Sequence, residues 1–472
     1  MSRGKEFTKN TILLFVGKFT TQFISFFLLP LYTRYLITSD YGYVDLVQTY
    51  ITLFVPILIL RIDSAVFRFL IDKRKDEFGK KEEISNILFI LFLTTIITII
   101  ISLFLIFFVK INYFIYVITN IVILMISSVF LQILRGLGKN KEYSIASIIT
   151  GVTTLLINIL LILKFNFNAS SILISSSIAN IICAVYIVFV VKLFKFVDIK
   201  VINSRNIKKI LDYSVPMIPN SLSWWIVNVS DRTIISSFLG TAINGIYSIS
   251  CKFSNILNSI FMIFNMSWQE TASLHINDDD REKFFSNIID KLLFMFASIS
   301  LLIVASLPFV YNIVIGEDYI SSYQYIPVLL YSNVWNVLIG LIGGIYVAKK
   351  QTKQIANTTI VSAIINLFVH FLLIKYIGLY AACVSTLVSY MIMGIYRYID
   401  CKKIVNIRIN ISKSIIFTFC FILSSIAYNV NNIYINIINL VFVLLYIIYI
   451  NKDVILAIPD ILKTRINKKK EV

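Results

Sequence analysis

Long apolar runs separated by short polar stretches recur from one end of the chain to the other. About 20 apolar residues, at 1.5 Å of rise each, make a helix of about 30 Å, the depth of a bilayer's hydrocarbon core. The pattern predicts fourteen spans, at about 11–33, 43–66, 84–109, 112–134, 145–163, 170–191, 213–238, 244–272, 286–315, 322–347, 355–374, 377–397, 413–429 and 432–450. The first run, TILLFVGKFTTQFISFFLLPLYTRYL, is too long for a signal-peptide core and has no small-residue cleavage site, so it reads as a retained span. The expectation is an all-α integral membrane protein.

Composition agrees. The 472 residues are 58% hydrophobic and 14% charged, against about 45–50% and about 25% in soluble domains. A net charge of +18 could suggest nucleic acid, but its distribution points elsewhere. With a cytoplasmic amino terminus, cytoplasmic segments hold 35 of the 43 Lys and Arg, and outer loops hold only Arg34, Lys110, Lys164 and Lys375. That asymmetry is the positive-inside rule over every loop, so the basic balance reports topology and contact with anionic lipid. Both termini are expected in the cytoplasm. Five scattered cysteines and two histidines, His275 and His370, show no metal-ligand spacing and no pairing pattern.

The chain also echoes itself. YLITSDYGY (35–43) aligns with FLGTAINGI (238–246), matching Tyr35/Phe238, Thr38/Thr241 and Gly42/Gly245 at an offset of 203. INILLILKFNFNASS (157–171) resembles VHFLLIKYIGLYAAC (369–383), and KNKEYSIA (139–146) resembles KQTKQIA (350–356). An internal duplication of six spans follows. Residues 1–210 are read as an N-lobe, 211–405 as a C-lobe, and 406–472 as two extra spans with a basic tail. An even number of spans per copy relates the copies by an axis along the membrane normal, with a central cleft between lobes.

Charge inside such spans costs about 2.5–3.5 kcal/mol per cation at the helix centre, so it marks protein-facing or water-filled space. With Lys291, Arg397 and Lys413 counted to the cytoplasmic ends of their spans, four cations fall within spans: Lys18, Arg61, Arg232 and Lys252. They lie on spans one, two, seven and eight, amid polar stripes at helical spacing. The first holds Lys18, Gln22 and Ser25; the second Gln48 and Thr52, then Arg61 and Asp63; the seventh Asn220, Trp224, Asn228 and Asp231; the eighth Lys252, Asn255 and Ser259. Estimated depth puts Lys18 and Arg61 in the cytoplasmic half and Arg232 and Lys252 in the outer half. Neighbours on a helix point about 100° apart, so Asp231 and Arg232 each require another partner; Asp231 with Lys252 is one candidate pair. NDDD (277–280) is read as the acidic start of a helix rather than a metal motif. The pattern contains no nucleophile with its base and no nucleotide loop, and it is read as non-enzymatic with no cofactor.

Three segments resemble polysaccharide flippases of the Wzx type, within the superfamily that also holds multidrug (MATE) antiporters and the lipid II flippase. They are LLPLYTRYLITSDYGYVDL (28–46), SDRTIISSFLGTAINGIYSISCKF (230–253) and LLIKYIGLYAACVSTLVSY (372–390). The resemblance implies a MATE-like fold in a bacterial inner membrane. It implies translocation of an undecaprenyl-pyrophosphate-linked oligosaccharide to the outer leaflet by alternating access, for O-antigen or capsule synthesis. An H+ or Na+ gradient would drive it, and polysaccharide polymerase machinery would be a partner. On that view Lys18, Arg61, Arg232 and Lys252, with Gln22, Gln48, Asn228 and Asn255, bind substrate, and Asp231 and Asp63 couple an ion or pair charges. Competing readings are a multidrug exporter, a lipid II flippase, a polymerase or ligase acting on lipid-linked sugars, and a scaffold. The short outer loops argue against the polymerase, and the intramembrane charges against the scaffold.

Overall fold

A computed structural model describes residues 24–108, 112–349, 351–430 and 432–452, apart from a few side chains between 220 and 228 and that of residue 352. The described residues form helices and turns. In order the helices are α1 (Leu29–Tyr35), α2 (Thr38–Leu58), α3 (Ile62–Asp72), α4 (Glu77–Leu105), α5 (Phe114–Gly136), α6 (Asn140–Leu163), α7 (Ser170–Val191) and α8 (Ser204–Ser214). There follow α9 (Ile218–Leu239), α10 (Thr241–His275), α11 (Arg281–Val314), α12 (Ile326–Ala348), α13 (Thr352–Ile377), α14 (Tyr380–Cys401), α15 (Ile411–Asn429) and α16 (Ile433–Ile450). Every predicted span from the second onward has its helix. Ten helices, α4–α7 and α11–α16, are long and apolar enough to cross a membrane. The long helices α2, α9 and α10 are not among them, and they carry the polar stripes of spans two, seven and eight.

The chain divides into two compact units, Met1–Gly245 and Ile246–Val472. In the first, α4 shows how a lipid-facing helix is built. Ile84, Ile87, Leu91, Thr94 and Thr98 are buried along one stripe, whereas Phe92, Ile100, Leu103 and Phe104 are exposed. Lipid supplies no hydrophobic drive between helices, so small and polar side chains must hold them together. The serines of α7 do this. Asn120 of α5 donates to Ser177 at 3.1 Å, Ser127 of α5 donates to Asn180 at 2.9 Å, and Asn158 of α6 donates to Ser175 at 2.5 Å.

The second unit repeats the scheme. In the first unit α7 packs on both α5 and α6; here α14 packs on both α12 and α13, and Asn366 of α13 reaches Thr386 of α14 at 3.4 Å. Helix α12 is the core of this unit. Its span is 72% buried, against 22% for α16 at the periphery. All five cysteines are free and buried, as expected of small core residues, and His370 is buried too. Asp280 stands at the N-cap of α11, so the acidic run begins a helix, that of the ninth span.

Two local features were not foreseen. Residues 204–214, which lead into the seventh span, form the amphipathic helix α8, which buries Asn206, Ile210 and Ser214 on one face and lays Lys209 over the Phe69 ring at 4.7 Å. The second span, expected as one helix, is two. Leu60 and Arg61 both adopt left-handed backbone angles (φ 52° and 56°), and the Arg61 amide donates back to the Pro56 carbonyl at 2.9 Å. Side chains beyond glycine pay about 1–3 kcal/mol for such a conformation, so this break is fixed by its surroundings.

Candidate functional site

The two segments that echo each other in sequence, 35–43 and 238–246, meet in space at the Lys- and Arg-poor end of the first unit. A Cβ on Gly42 of α2 would lie 1.9 Å from the Thr241 carbonyl oxygen, and one on Gly245 would lie 2.4 Å from that of Thr38. Thr38 and Thr241 are separated by the same 203 positions as the two glycines. Each copy's glycine therefore sits against the other copy's threonine carbonyl, a locally two-fold contact. Asn244 closes it by donating to the Gly42 carbonyl at 2.8 Å. Backbones this close admit no side chain, which explains why glycine stands at both places.

That clamp sets α2 alongside α9. The Trp225 indole donates to the Thr49 carbonyl at 2.9 Å, the Tyr50 hydroxyl lies 3.1 Å from that of Thr233, and the Tyr50 and Trp225 rings are 5.8 Å apart. Between these contacts and the glycine clamp, Arg232 Nε donates to Asp45 Oδ2 at 2.7 Å, with the two side chains only 15% and 11% exposed. Asp45 is the partner that the adjacent Asp231 could not be. It went unnoticed in the sequence, although Asp45, Gln48, Thr49 and Thr52 follow helical spacing and Gln48 and Thr52 were already singled out. Asp231 is buried.

The other expected site residues divide as follows. Arg61 and Asp63 come together across the break in span two: Arg61 Nη1 is 3.3 Å from Asp63 Oδ2, and Nη2 donates to Ser64 at 2.8 Å. Arg61 Nε and Asp63 Oδ1 are buried with no hydrogen-bond partner among the described residues, so the pair is only partly satisfied. Gln48 is half-buried on α2. In the second unit, Lys252 is half-buried on α10, and Asn255 one turn on is exposed. Lys18, Gln22 and the side chain of Asn228 lie outside the described residues.

A further buried cation was missed. Arg397, taken as a residue at the cytoplasmic boundary, is 4% exposed. It donates to the Thr358 and Thr359 hydroxyls at 2.9 and 3.1 Å and to the Ile339 and Ile355 carbonyls, each at 3.2 Å. The planar guanidinium so ties α12, α13 and α14 together, a job its fork geometry suits. Gly343 leaves room for it, with a Cβ there 3.5 Å from Arg397 Nη1. Nothing in the sequence separates this arginine from one that snorkels to the interface.

Solved structures share the fold. Lipid II flippase MurJ in an inward closed conformation superposes with a TM-score of 0.69 at 15% identity, over 94% of this chain and 100% of that one. An inward-facing multidrug resistance MATE family transporter of the MOP superfamily gives 0.61 at 15%, over 84% and 95%. A mutant of the Vibrio cholerae MATE transporter VcmN gives 0.57 at 13%, over 84% and 96%. No curated protein matches the sequence. Residues 7–269, more than half of the chain, match the family described as "Polysaccharide biosynthesis protein". By that match over more than half of its length, the chain belongs to the polysaccharide biosynthesis protein family.

Proposed function

We propose that the protein is a flippase that carries an undecaprenyl-pyrophosphate-linked oligosaccharide from the cytoplasmic to the outer leaflet of a bacterial inner membrane. The family match over residues 7–269 carries the reading, and the likeness to a lipid II flippase over nearly the whole chain supports it. Lys18, Arg61, Arg232 and Lys252 would engage the pyrophosphate, with Gln22, Gln48, Asn228 and Asn255 supplying neutral hydrogen bonds. The diphosphate would pass from the Lys18 and Arg61 pair to the Arg232 and Lys252 pair as the lobes at 1–210 and 211–405 alternate.

Asp45 adds a step. Its carboxylate holds the Arg232 guanidinium, so a diphosphate reaches that cation by displacing a group of lower charge. A charge-assisted, bidentate contact with phosphate is a fair exchange for one with carboxylate. Asp231 and Asp63 would couple an H+ or Na+ gradient to the cycle, and polymerase machinery would receive the flipped product. Multidrug export is the second reading, because MATE transporters share the fold. It calls for a net acidic pathway, whereas Lys18, Arg61, Arg232 and Lys252 balance the carboxylates Asp45, Asp63, Asp231 and Glu270 on the same spans.

The test is complementation of a flippase-null strain, reading the cytoplasm-facing lipid-linked glycan that accumulates. Wild-type protein should clear that pool, and Arg232→Gln should leave most of it. A pool untouched by the wild-type chain, together with gained resistance to cationic drugs, would overturn the flippase reading in favour of export.

A further inference from the structure

A second polar site lies beside the glycine clamp, wholly within the first unit. A cavity of about 280 Å³ opens between the α1–α2 junction and the α6–α7 connection, lined by Tyr35, Asp40, Asn166, Phe167 and Asn168 among others. Its walls mix oxygen and amide groups with two rings that are themselves open to solvent, Tyr35 at 61% and Phe167 at 37% exposed. The Asp40 side chain, half-buried, makes no hydrogen bond or ion pair with any described residue. Tyr113 stands beside both Asp40 and Asn168.

The duplication supplies an internal control. The α13–α14 connection in the second copy spans only 378–379, whereas its counterpart here spans 164–169. Helix α6 ends earlier relative to the shared sequence than α13 does, and the non-helical residues Asn166, Phe167 and Asn168 line the cavity. Asn166 has a local reason to be there, since it takes a positive φ (53°), as Gly378 does after α13 (56°). The Asn168 side chain is hydrogen-bonded to Tyr113, whereas that of Phe167 has no such partner among the described residues. Asp40 corresponds at the 203 offset to Ile243, in the first turn of α10, so the fold does not require a carboxylate there. Asp40 and the Asn166–Asn168 stretch therefore differ from their counterparts in the second copy on a shared scaffold.

We propose that this cavity is a sugar-binding subsite. A carboxylate accepts from hydroxyls, and side-chain amides both donate and accept. Aromatic rings offer flat apolar faces with a negative quadrupole to a ligand's C–H edges. That combination suits a ligand ring with polar rim and apolar faces. The proposal rests on the flippase reading for its assignment to the glycan: at the Lys- and Arg-poor end, the subsite would hold one sugar of the lipid-linked saccharide as it emerges.

The full chain in lipid nanodiscs is tested by saturation-transfer NMR against methyl glycosides of glucose, galactose, rhamnose and N-acetylglucosamine. At least one should give a saturable signal. The variant Asp40→Ile, which installs the residue of the second copy, and Asn168→Ala should each weaken binding about tenfold, the loss of one good hydrogen bond to a charged or amide group. Unchanged melting temperatures would show the variants folded. No saturable signal from any glycoside, equal binding by the variants, or retention of Na+ or Ca2+ at the cavity without sugar binding would each overturn the subsite. The outcomes separate from those of the flippase test. Sugar binding without complementation sinks the flippase reading alone, and complementation with wild-type behaviour in both variants sinks the subsite alone.

Discussion

Replacing Arg232 by glutamine removes a full charge from beside Asp45 while keeping a side chain of similar reach. At 2.7 Å between Nε and Oδ2, the charge centres lie about 4 Å apart, worth about 4 kcal/mol at the effective dielectric of about 20 that suits such sites. Desolvation already offsets part of that attraction, and the 15% and 11% exposure of the two side chains admits some screening. A loss of about 2–3 kcal/mol is therefore expected for Arg232→Gln, since the carboxylate is left in the protein without its guanidinium. Asp45→Asn should cost a similar amount. The double variant Asp45→Asn/Arg232→Gln should recover most of it, because two neutral amides leave no uncompensated charge. All five cysteines are buried, so unfolding in detergent can be followed by a thiol-reactive fluorophore on unmodified protein. At roughly 2 °C per kcal/mol for a large chain, each single variant should melt about 5 °C low and the double variant within about 2 °C of wild type. If the double variant drops by the sum of the singles, the two side chains are not coupled, and the pair has no place in the mechanism.

Three further outcomes are expected. Gly42→Ala would force backbone apart, since the new Cβ would sit 1.9 Å from the Thr241 oxygen. It should cost about 3 kcal/mol and lower the melting temperature by about 6 °C, whereas Gly343→Ala, with 3.5 Å to its nearest neighbour, should melt like wild type. Arg397→Lys keeps the charge but loses the fork that reaches four acceptors, so a loss of about 3 kcal/mol by the same melting assay is expected. Glu83, in the turns of α4 ahead of its apolar stretch, is buried, and burial raises its carboxyl above the ordinary range despite the opposing pull of Lys209. Its folded form holds the proton more tightly than its unfolded form, so the group favours folding at low pH and this contribution is lost as pH rises. Glu83→Gln should melt above wild type at pH 7.5, and the gap should close near pH 4; a gap that widens on acidification would contradict the burial argument.

The spans were legible because hydrophobic length is a coarse signal that tertiary contacts seldom override, and the charge asymmetry fixed their alternation. The break in span two was not legible. Leu60 and Arg61 carry no residue preference for left-handed backbone, and Pro56 alone marks the place. Helix α8 is short and mostly polar, so it registers as loop until Asn206 and Ile210 are seen to be buried. The echo at 35–43 and 238–246 pointed to duplication but not to contact; sequence offset says which residues are equivalent, not that equivalents touch. Asp45 was within reach, one helical step before Gln48 in a stripe already recognised, while Arg397 and its four neutral acceptors leave no mark on the sequence at all.

The reciprocal threonine–glycine contact also constrains how the protein is made. Gly42 leaves the ribosome about 200 residues before Gly245, and Asp45 waits almost as long for Arg232. Throughout that interval the second helix lacks the Arg232 partner of Asp45, and Gly42 has no Thr241 carbonyl against it. Insertion machinery or lipid headgroups must shelter it until the later segment arrives. A nascent chain stalled short of residue 245 is accordingly expected to be a substrate for membrane proteolysis, and one stalled just beyond it to persist.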